Sequence, residues 1–188
     1  MYINKIDINY IIMENAKPME DNCVTQEMHL LSDKWVLWAH LPHDTDWSLE
    51  SYIKIITLDN VEKIISLINT IPEKLIKNCM LFLMREGINP TWEDKRNCKG
   101  GCFSFKVVNK HVVNVWNTLL QVITGETISS NNDFIKKVNG ITISPKKAFC
   151  ILKIWMSDVE YQNPKLIVPI EGLAMHGCLF KKHKPEYK

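Results

Sequence analysis

The stretch that decides the fold is KWVLWAHLPHDTDWSLESYIKIIT, residues 34–57. Its first part, residues 34–39, is apolar and β-prone, and its last part, residues 51–57, alternates between two faces, so both are predicted strands. A polar loop, residues 42–46, joins them, and Trp47 stands at its far end. A large indole at the edge of a polar loop is poorly explained by burial in a core. Trp47 is therefore the first candidate binding residue.

The remaining pattern interleaves further strands with amphipathic helices. Asn60 is a predicted N-cap for a helix with apolar residues at i, i+3, i+4 and i+7 that stops before Pro72. A second helix is predicted over residues 111–124, and further strands over residues 79–84, 103–108, 138–144 and 148–156. The class indicated is α+β, a single curved antiparallel β-sheet backed by helices on its convex face.

Composition and charge narrow the classes of function. The chain has 188 residues, 46% of them apolar, and a net charge of +2, too small for a protein that coats nucleic acid or a membrane surface. Residues 1–28 are acidic and lack periodicity, and we interpret them as a mobile N-terminal arm before one domain over residues 29–188. Neither a signal peptide nor an apolar run near 18 residues is present, so a cytoplasmic protein with reduced cysteines and no membrane partner is expected.

The motif with chemical content is Trp92-Glu93-Asp94, in a loop that ends at Gly100-Gly101. If Trp47 and Trp92 face one slot, a flat cationic ring fits between their π faces, at roughly 1–2 kcal/mol per face. The Glu93 carboxylate would then accept two N–H donors from the edge of that ring, worth about 1–3 kcal/mol of discrimination. The base that matches these requirements is 7-methylguanine, which carries a positive charge and presents two adjacent N–H groups.

A wider set of positions resembles the eukaryotic translation initiation factor 4E family, whose members bind the messenger RNA cap. The resemblance covers about residues 29–156 and rests on His29-Leu-Leu, Trp35-x-x-Trp38, Trp47, Trp92-Glu93-Asp94 with Gly100-Gly101, Trp116 and Ile154-Trp155. It implies a cap slot on the concave face of the sheet. It further implies that Trp47 and Trp92 stack on the base, that Glu93 reads guanine, and that Trp155 lies near the N7 methyl group.

The phosphate side of the slot departs from the pattern of the family. Cys102 stands where the family usually has an arginine, and Ile151 stands where a further cation is common. Lysines in the turn between two strands and in the basic tail are therefore the predicted phosphate ligands, namely Lys146, Lys147, Lys181 and Lys182.

The convex face departs from the family as well. Members dock a helix of a scaffold protein, of the factor 4G type, on a patch that includes a helical Trp. Here Ile65 replaces that Trp, and the predicted partner surface consists of His29, Val61, Ile65, Trp116, Asn117 and Gln121. A divergent member with an altered partner is expected.

Several readings stay open at this point. The first is a cap-binding factor, without enzymatic activity, cofactor or metal, that recruits messenger RNA for translation initiation. The second is a cap-binding repressor or competitor that does not engage the usual scaffold. An RNA-end hydrolase and a general single-strand binder lack supporting motifs. Cys98-x3-Cys102 has the wrong spacing for a zinc site, and the six histidines read as surface or capping residues.

Overall fold

A computed structural model describes residues 28–186, so the predicted arm lies outside the described residues except for Met28. The strands are β1 (Leu30–His40), β2 (Tyr52–Asn60), β3 (Met80–Arg85), β4 (Gly101–Val108), β5 (Val138–Pro145), β6 (Phe149–Met156) and β7 (Leu179–Lys182). The helices are α1 (Val61–Thr70), α2 (Glu73–Asn78), α3 (Val112–Thr124) and α4 (Asn132–Lys137), with short 3₁₀ turns at Leu49–Ser51 and Pro164–Leu166.

The seven strands form one antiparallel sheet in the order β2-β1-β3-β5-β6-β4-β7. This confirms the predicted α+β class with a curved antiparallel sheet. Two short helices, α2 and α4, and the edge strand β7 were not predicted. Strand β7 pairs with β4, with Gly101 opposite Lys182 and Ser104 opposite Leu179. The residues near the C-terminus therefore lie beside a strand from the middle of the sequence.

Alternation along the strands separates two faces of the sheet. In β3, Leu81 and Leu83 belong to the main core, whereas Phe82 and Met84 belong to a smaller cluster on the opposite face. The main core lies under the helices. The second face, which we call the open face, carries aromatic and polar side chains, and Trp155 joins Phe82 there.

The helices begin where their caps predict. Asn60 Oδ1 accepts a hydrogen bond from the Lys63 N–H at 2.8 Å, which is the N-cap expected for α1. Helix α3 buries its apolar stripe against the sheet. Trp116 lies on that stripe and is fully buried, so its predicted place on the partner surface is wrong, because the core takes the whole indole.

Candidate functional site

A cavity of about 820 Å³ opens on the open face of the sheet. Four of the predicted site residues line it together, namely Trp47, Trp92, Glu93 and Trp155. These residues come from three separate segments, the loop before β2, the loop before β4, and strand β6. The sheet therefore brings together an apolar, aromatic pocket with a few polar groups, which is the usual composition of a small-ligand site.

Trp47 is carried by a tightly hydrogen-bonded loop. Asp44 Oδ1 accepts from the Asp46 N–H at 2.9 Å, and Asp46 Oδ1 accepts from the Ser48 N–H at 2.8 Å, two Asx turns in succession. The indole remains 55% exposed. One of its faces stacks on the His40 ring, with centroids 4.1 Å apart and planes within 3° of parallel.

The loop that carries Trp92 is organised around Asn97, which is fully buried. Its side-chain amide donates to the carbonyls of Asn89 (2.9 Å) and Thr91 (2.8 Å), directly before Trp92. Asp94 braces the same loop, because its carboxylate accepts from the backbone N–H groups of Asn89 and Arg96. Asp94 is thus a structural acid of this loop.

The glycine pair closes this loop for a steric reason. A Cβ at Gly100 would lie 1.8 Å from the Met156 carbonyl oxygen, which is much shorter than a van der Waals contact, so only glycine fits there. The close approach lets β4 start directly between β6 and β7. Cys102, two residues on, then lies opposite Trp155 in the sheet.

Glu93 and Trp155 provide the polar edge and the inner wall of the cavity. Glu93 is exposed, and its Oε1 accepts a hydrogen bond from the Glu186 backbone N–H at 2.9 Å. Burial and the nearby Glu93 charge raise the pKa of Tyr52 to about 12, so its phenol stays protonated beside the carboxylate. Trp155 is largely buried and meets the edge of Phe82.

The cations at the cavity differ from those predicted. Lys153 and Lys184 line it, and the Lys153 Nζ lies 5.7 Å from the centroid of the Trp92 ring. Position 153 lies two residues before Trp155 on the same strand face, a signal that alternation could have supplied.

None of the four predicted phosphate lysines is among the lining residues of the cavity. Lys146 and Lys147 lie in the exposed turn between β5 and β6. Lys181 and Lys182 lie on β7, opposite Cys102 and Gly101. Burial raises the pKa of the Cys102 thiol, and Lys153 and Lys181 offset part of that rise.

Two histidines contradict their reading as surface or capping residues. His40 is 1% exposed and stacks on Trp47, and His183 is 7% exposed. The His183 ring lies nearly parallel to that of Trp92, with centroids 5.7 Å apart and planes 11° apart, and contacts Trp155 at 4.8 Å. Burial lowers the pKa of His183, and the charge of Lys153 lowers it further.

The predicted partner surface is only partly exposed. Val61 and Ile65 are one turn apart on α1 and are exposed, and Leu30 beside them is 77% exposed. The His29 carbonyl accepts the Val61 N–H, and the His29 ring donates to Glu62 at 2.8 Å, which lowers the pKa of that carboxyl. On α3, Gln121 is exposed and Asn117 is half-buried.

A comparison with protein families decides the assignment. The model of the family described as Eukaryotic initiation factor 4E matches residues 30–183. The chain belongs to the eukaryotic initiation factor 4E family. This confirms the resemblance drawn from the tryptophan pattern.

Individual factor 4E proteins show the same relationship. Eukaryotic translation initiation factor 4E of Candida albicans is 31% identical over 149 residues, which cover 74% of this chain and 69% of that protein. A factor 4E homolog of Acanthamoeba polyphaga mimivirus is 45% identical over 84 residues, 44% of this chain and 27% of that protein.

Solved structures of factor 4E proteins share the fold. The complex of C. elegans eIF4E-3 with the 4E-binding protein Mextli and cap analog matches with a TM-score of 0.63 and 26% identity, over 71% of this chain and 76% of that chain. Ascaris suum eIF4E-3 with m7G cap matches with a TM-score of 0.62 and 27% identity, over the same shares of the two chains.

Within residues 28–186, no helix has the length and apolar character needed to cross a membrane. In the same part of the chain, no group of three or more His, Cys, Asp or Glu side chains is arranged to hold a metal ion.

Proposed function

We propose that this protein binds the 7-methylguanosine cap of messenger RNA and recruits the message for translation initiation, without catalysing a reaction. The observation that carries the proposal is the convergence of Trp47, Trp92 and Glu93 on one cavity of about 820 Å³. The matched factor 4E structures include complexes with m7G cap or a cap analog, and this likeness adds support.

The two indoles account for the preference for a methylated base. Methylation at N7 gives guanine a positive charge, and a cationic ring between two indole faces gains about 1–2 kcal/mol from each when water is excluded. Trp47 offers one face because His40 covers the other, and the indole is half exposed. An unmethylated guanine can still stack on the indoles, but it lacks the positive charge that the indole faces attract.

Glu93 accounts for the choice of guanine. A carboxylate accepts two parallel N–H bonds, and guanine presents N1–H and N2–H side by side, whereas adenine has no N1–H donor. Glu93 lines the cavity, and its Oε1 accepts the Glu186 backbone N–H, a bond that a guanine edge has to displace or share. Tyr52, held neutral nearby, adds a hydroxyl to the same wall.

For the phosphates we propose Lys153 in addition to the four lysines predicted from the sequence. Lys153 lines the cavity and lies beside Trp92, whereas Lys146 is nine residues from Trp155 along the β5–β6 hairpin. At about 3.3 Å per residue that separation exceeds the length of a lysine side chain several times. Lys153 is thus best placed for the first phosphate, and the remaining lysines suit the rest of the chain.

The exposed apolar residues Leu30, Val61 and Ile65 support a partner site on the helical side of the sheet. A scaffold helix of the factor 4G type would cover them with its own apolar face. Asn117 and Gln121 on α3 are polar, which favours a divergent scaffold. The same observation keeps the alternative of a cap-binding repressor that engages no scaffold.

The test is a titration of tryptophan fluorescence with 7-methyl-GTP and, in parallel, with GTP. We expect strong quenching by the methylated nucleotide, at least tenfold weaker binding of GTP, and loss of binding in Trp92→Ala and Glu93→Ala. Glu86→Ala is the matched control, since Glu86 is an exposed carboxylate of the same loop that is not among the cavity residues. Equal affinity for the two nucleotides would contradict the proposal.

A further inference from the structure

Each of the two loop indoles of the cavity, Trp47 and Trp92, has a buried histidine against one ring face. His40 stacks on Trp47 with a centroid distance of 4.1 Å and an interplanar angle of 3°. His183 lies against Trp92 at 5.7 Å and 11°. The two imidazoles come from opposite ends of the domain, one at the end of β1 and the other just after β7. The same arrangement thus occurs twice, once behind each wall.

Each imidazole also donates a hydrogen bond to a backbone carbonyl of the loop that carries its tryptophan. The His40 Nε2–H donates to the carbonyl of Asp46, the residue before Trp47, at 2.7 Å. The His183 Nδ1–H donates to the carbonyl of Asn97, also at 2.7 Å, and the Asn97 side chain holds the backbone just before Trp92. Because a carbonyl only accepts, each bond fixes which ring nitrogen carries a proton.

Apolar packing alone does not require these residues. Burying an imidazole costs free energy unless its polar atoms are bonded, and a leucine or phenylalanine would fill the same space without that cost. What an imidazole adds is a flat ring and a directed N–H on one side chain. Both are needed to hold an indole at a set angle while also fixing the loop behind it.

We infer that His40 and His183 are positioning residues that hold the Trp47 and Trp92 rings in place before the ligand arrives; the inference rests on the proposed cap-binding function. An unsupported indole has several rotamers, and ordering it on binding reduces affinity. A preformed pair of walls removes that cost.

Further side chains pack around the two rings, and the lowered pKa of His183 keeps its imidazole neutral, so that it does not repel a cationic base. His40 meets the Tyr52 ring edge at 5.2 Å, and Cys79 Sγ bonds its carbonyl oxygen. His183 faces Lys153 and Glu93, and burial together with Lys153 lowers its pKa.

The test compares His40→Leu with His40→Phe. Leucine fills the space with an apolar group, whereas phenylalanine restores the flat ring without the N–H. We expect about tenfold weaker binding of 7-methyl-GDP by His40→Leu and about threefold weaker binding by His40→Phe, at similar melting temperatures. His183→Leu and His183→Phe repeat the comparison at the second wall and decide the question if a His40 variant fails to fold. Equal affinities of the leucine and phenylalanine variants at both walls would overturn the inference.

A second readout needs no ligand, so it separates this inference from the proposed function. Acrylamide quenching of the Trp47 emission, taken as the difference from a Trp47→Phe background, measures access to the ring. His40→Leu should raise that access and His40→Phe should not. If the wild-type protein fails to prefer 7-methyl-GDP over GDP, the proposed function fails. Unchanged acrylamide access in His40→Leu overturns the positioning role independently of that result.

Discussion

Replacing Glu186 by proline should tighten the binding of 7-methylguanine nucleotides, because it removes a backbone N–H that occupies the guanine-reading carboxylate. That N–H donates to Glu93 Oε1 at 2.9 Å, and Glu186 also lines the cavity. A guanine edge that approaches Glu93 must displace this bond or share the carboxylate with it. The C-terminal segment therefore acts as an internal competitor for the base.

The expected size follows from the exposure of the contact. A hydrogen bond to a charged group contributes about 1.5–3 kcal/mol when it is protected from solvent. Both Glu93 and Glu186 are exposed, so screening reduces the contribution to about 1 kcal/mol. That free energy corresponds to an affinity about fivefold higher in the Glu186→Pro variant.

Isothermal titration calorimetry with 7-methyl-GDP is the assay, and Glu186→Ala is the matched control. Both substitutions remove the side-chain carboxylate of Glu186, but alanine keeps the backbone N–H at position 186 and proline does not. We expect the alanine variant to bind like the wild-type protein and the proline variant to bind about fivefold tighter. Equal affinities for the two variants would refute the reasoning, because the amide would then not compete with the base.

Three further predictions concern pH, phosphate and partner. The pKa of His183 is lower in the folded protein than its ordinary value of 6.5, so the neutral ring contributes stability that is complete above pH 6.5 and is lost as the pH falls through the pKa of the folded state. Thermal melts from pH 8 to 5 should show this loss of stability, and His183→Phe should make the melting temperature depend less on pH. Lys153→Ala should weaken 7-methyl-GTP about fivefold at low salt but leave the phosphate-free nucleoside unchanged, as measured by fluorescence titration, and an equal loss for both would remove Lys153 from phosphate binding. Ile65→Asp should abolish capture of a scaffold helix of the factor 4G type without changing the affinity for 7-methyl-GTP, and retained capture in a pulldown would place the partner elsewhere.

The parts of the fold that follow from local rules could be predicted from the sequence. Alternation predicted the two faces of β2, and the Asn60 cap with the 3.6-residue spacing predicted α1. The loop placement of Trp47 and Trp92 pointed to the cavity, because indoles at polar loop edges lack a core to enter. Each of these signals is contained in a stretch of about ten residues.

What could not be predicted depends on contacts between distant segments. Strand β7 is only four residues long and has no clear alternation, so its place opposite β4 is set by the register of pairing and not by its composition. His183 contacts Trp92 although the two residues lie 91 positions apart in the chain, and nothing beside His183 in the sequence indicates that it is buried. Trp116 shows the converse case, since a residue of a helix next to an exposed patch can still point entirely inward.

Asn97 has a consequence for the dynamics of the cavity. It bonds the backbone before Trp92, accepts the Asn139 side-chain amide from β5 at 2.9 Å, and accepts the His183 ring N–H through its carbonyl. Regions joined through one fully buried residue tend to open as one cooperative unit. The Trp92 loop, the C-terminal segment and the edge of β5 should accordingly exchange their amide hydrogens together, at rates that ligand binding slows in all three at once.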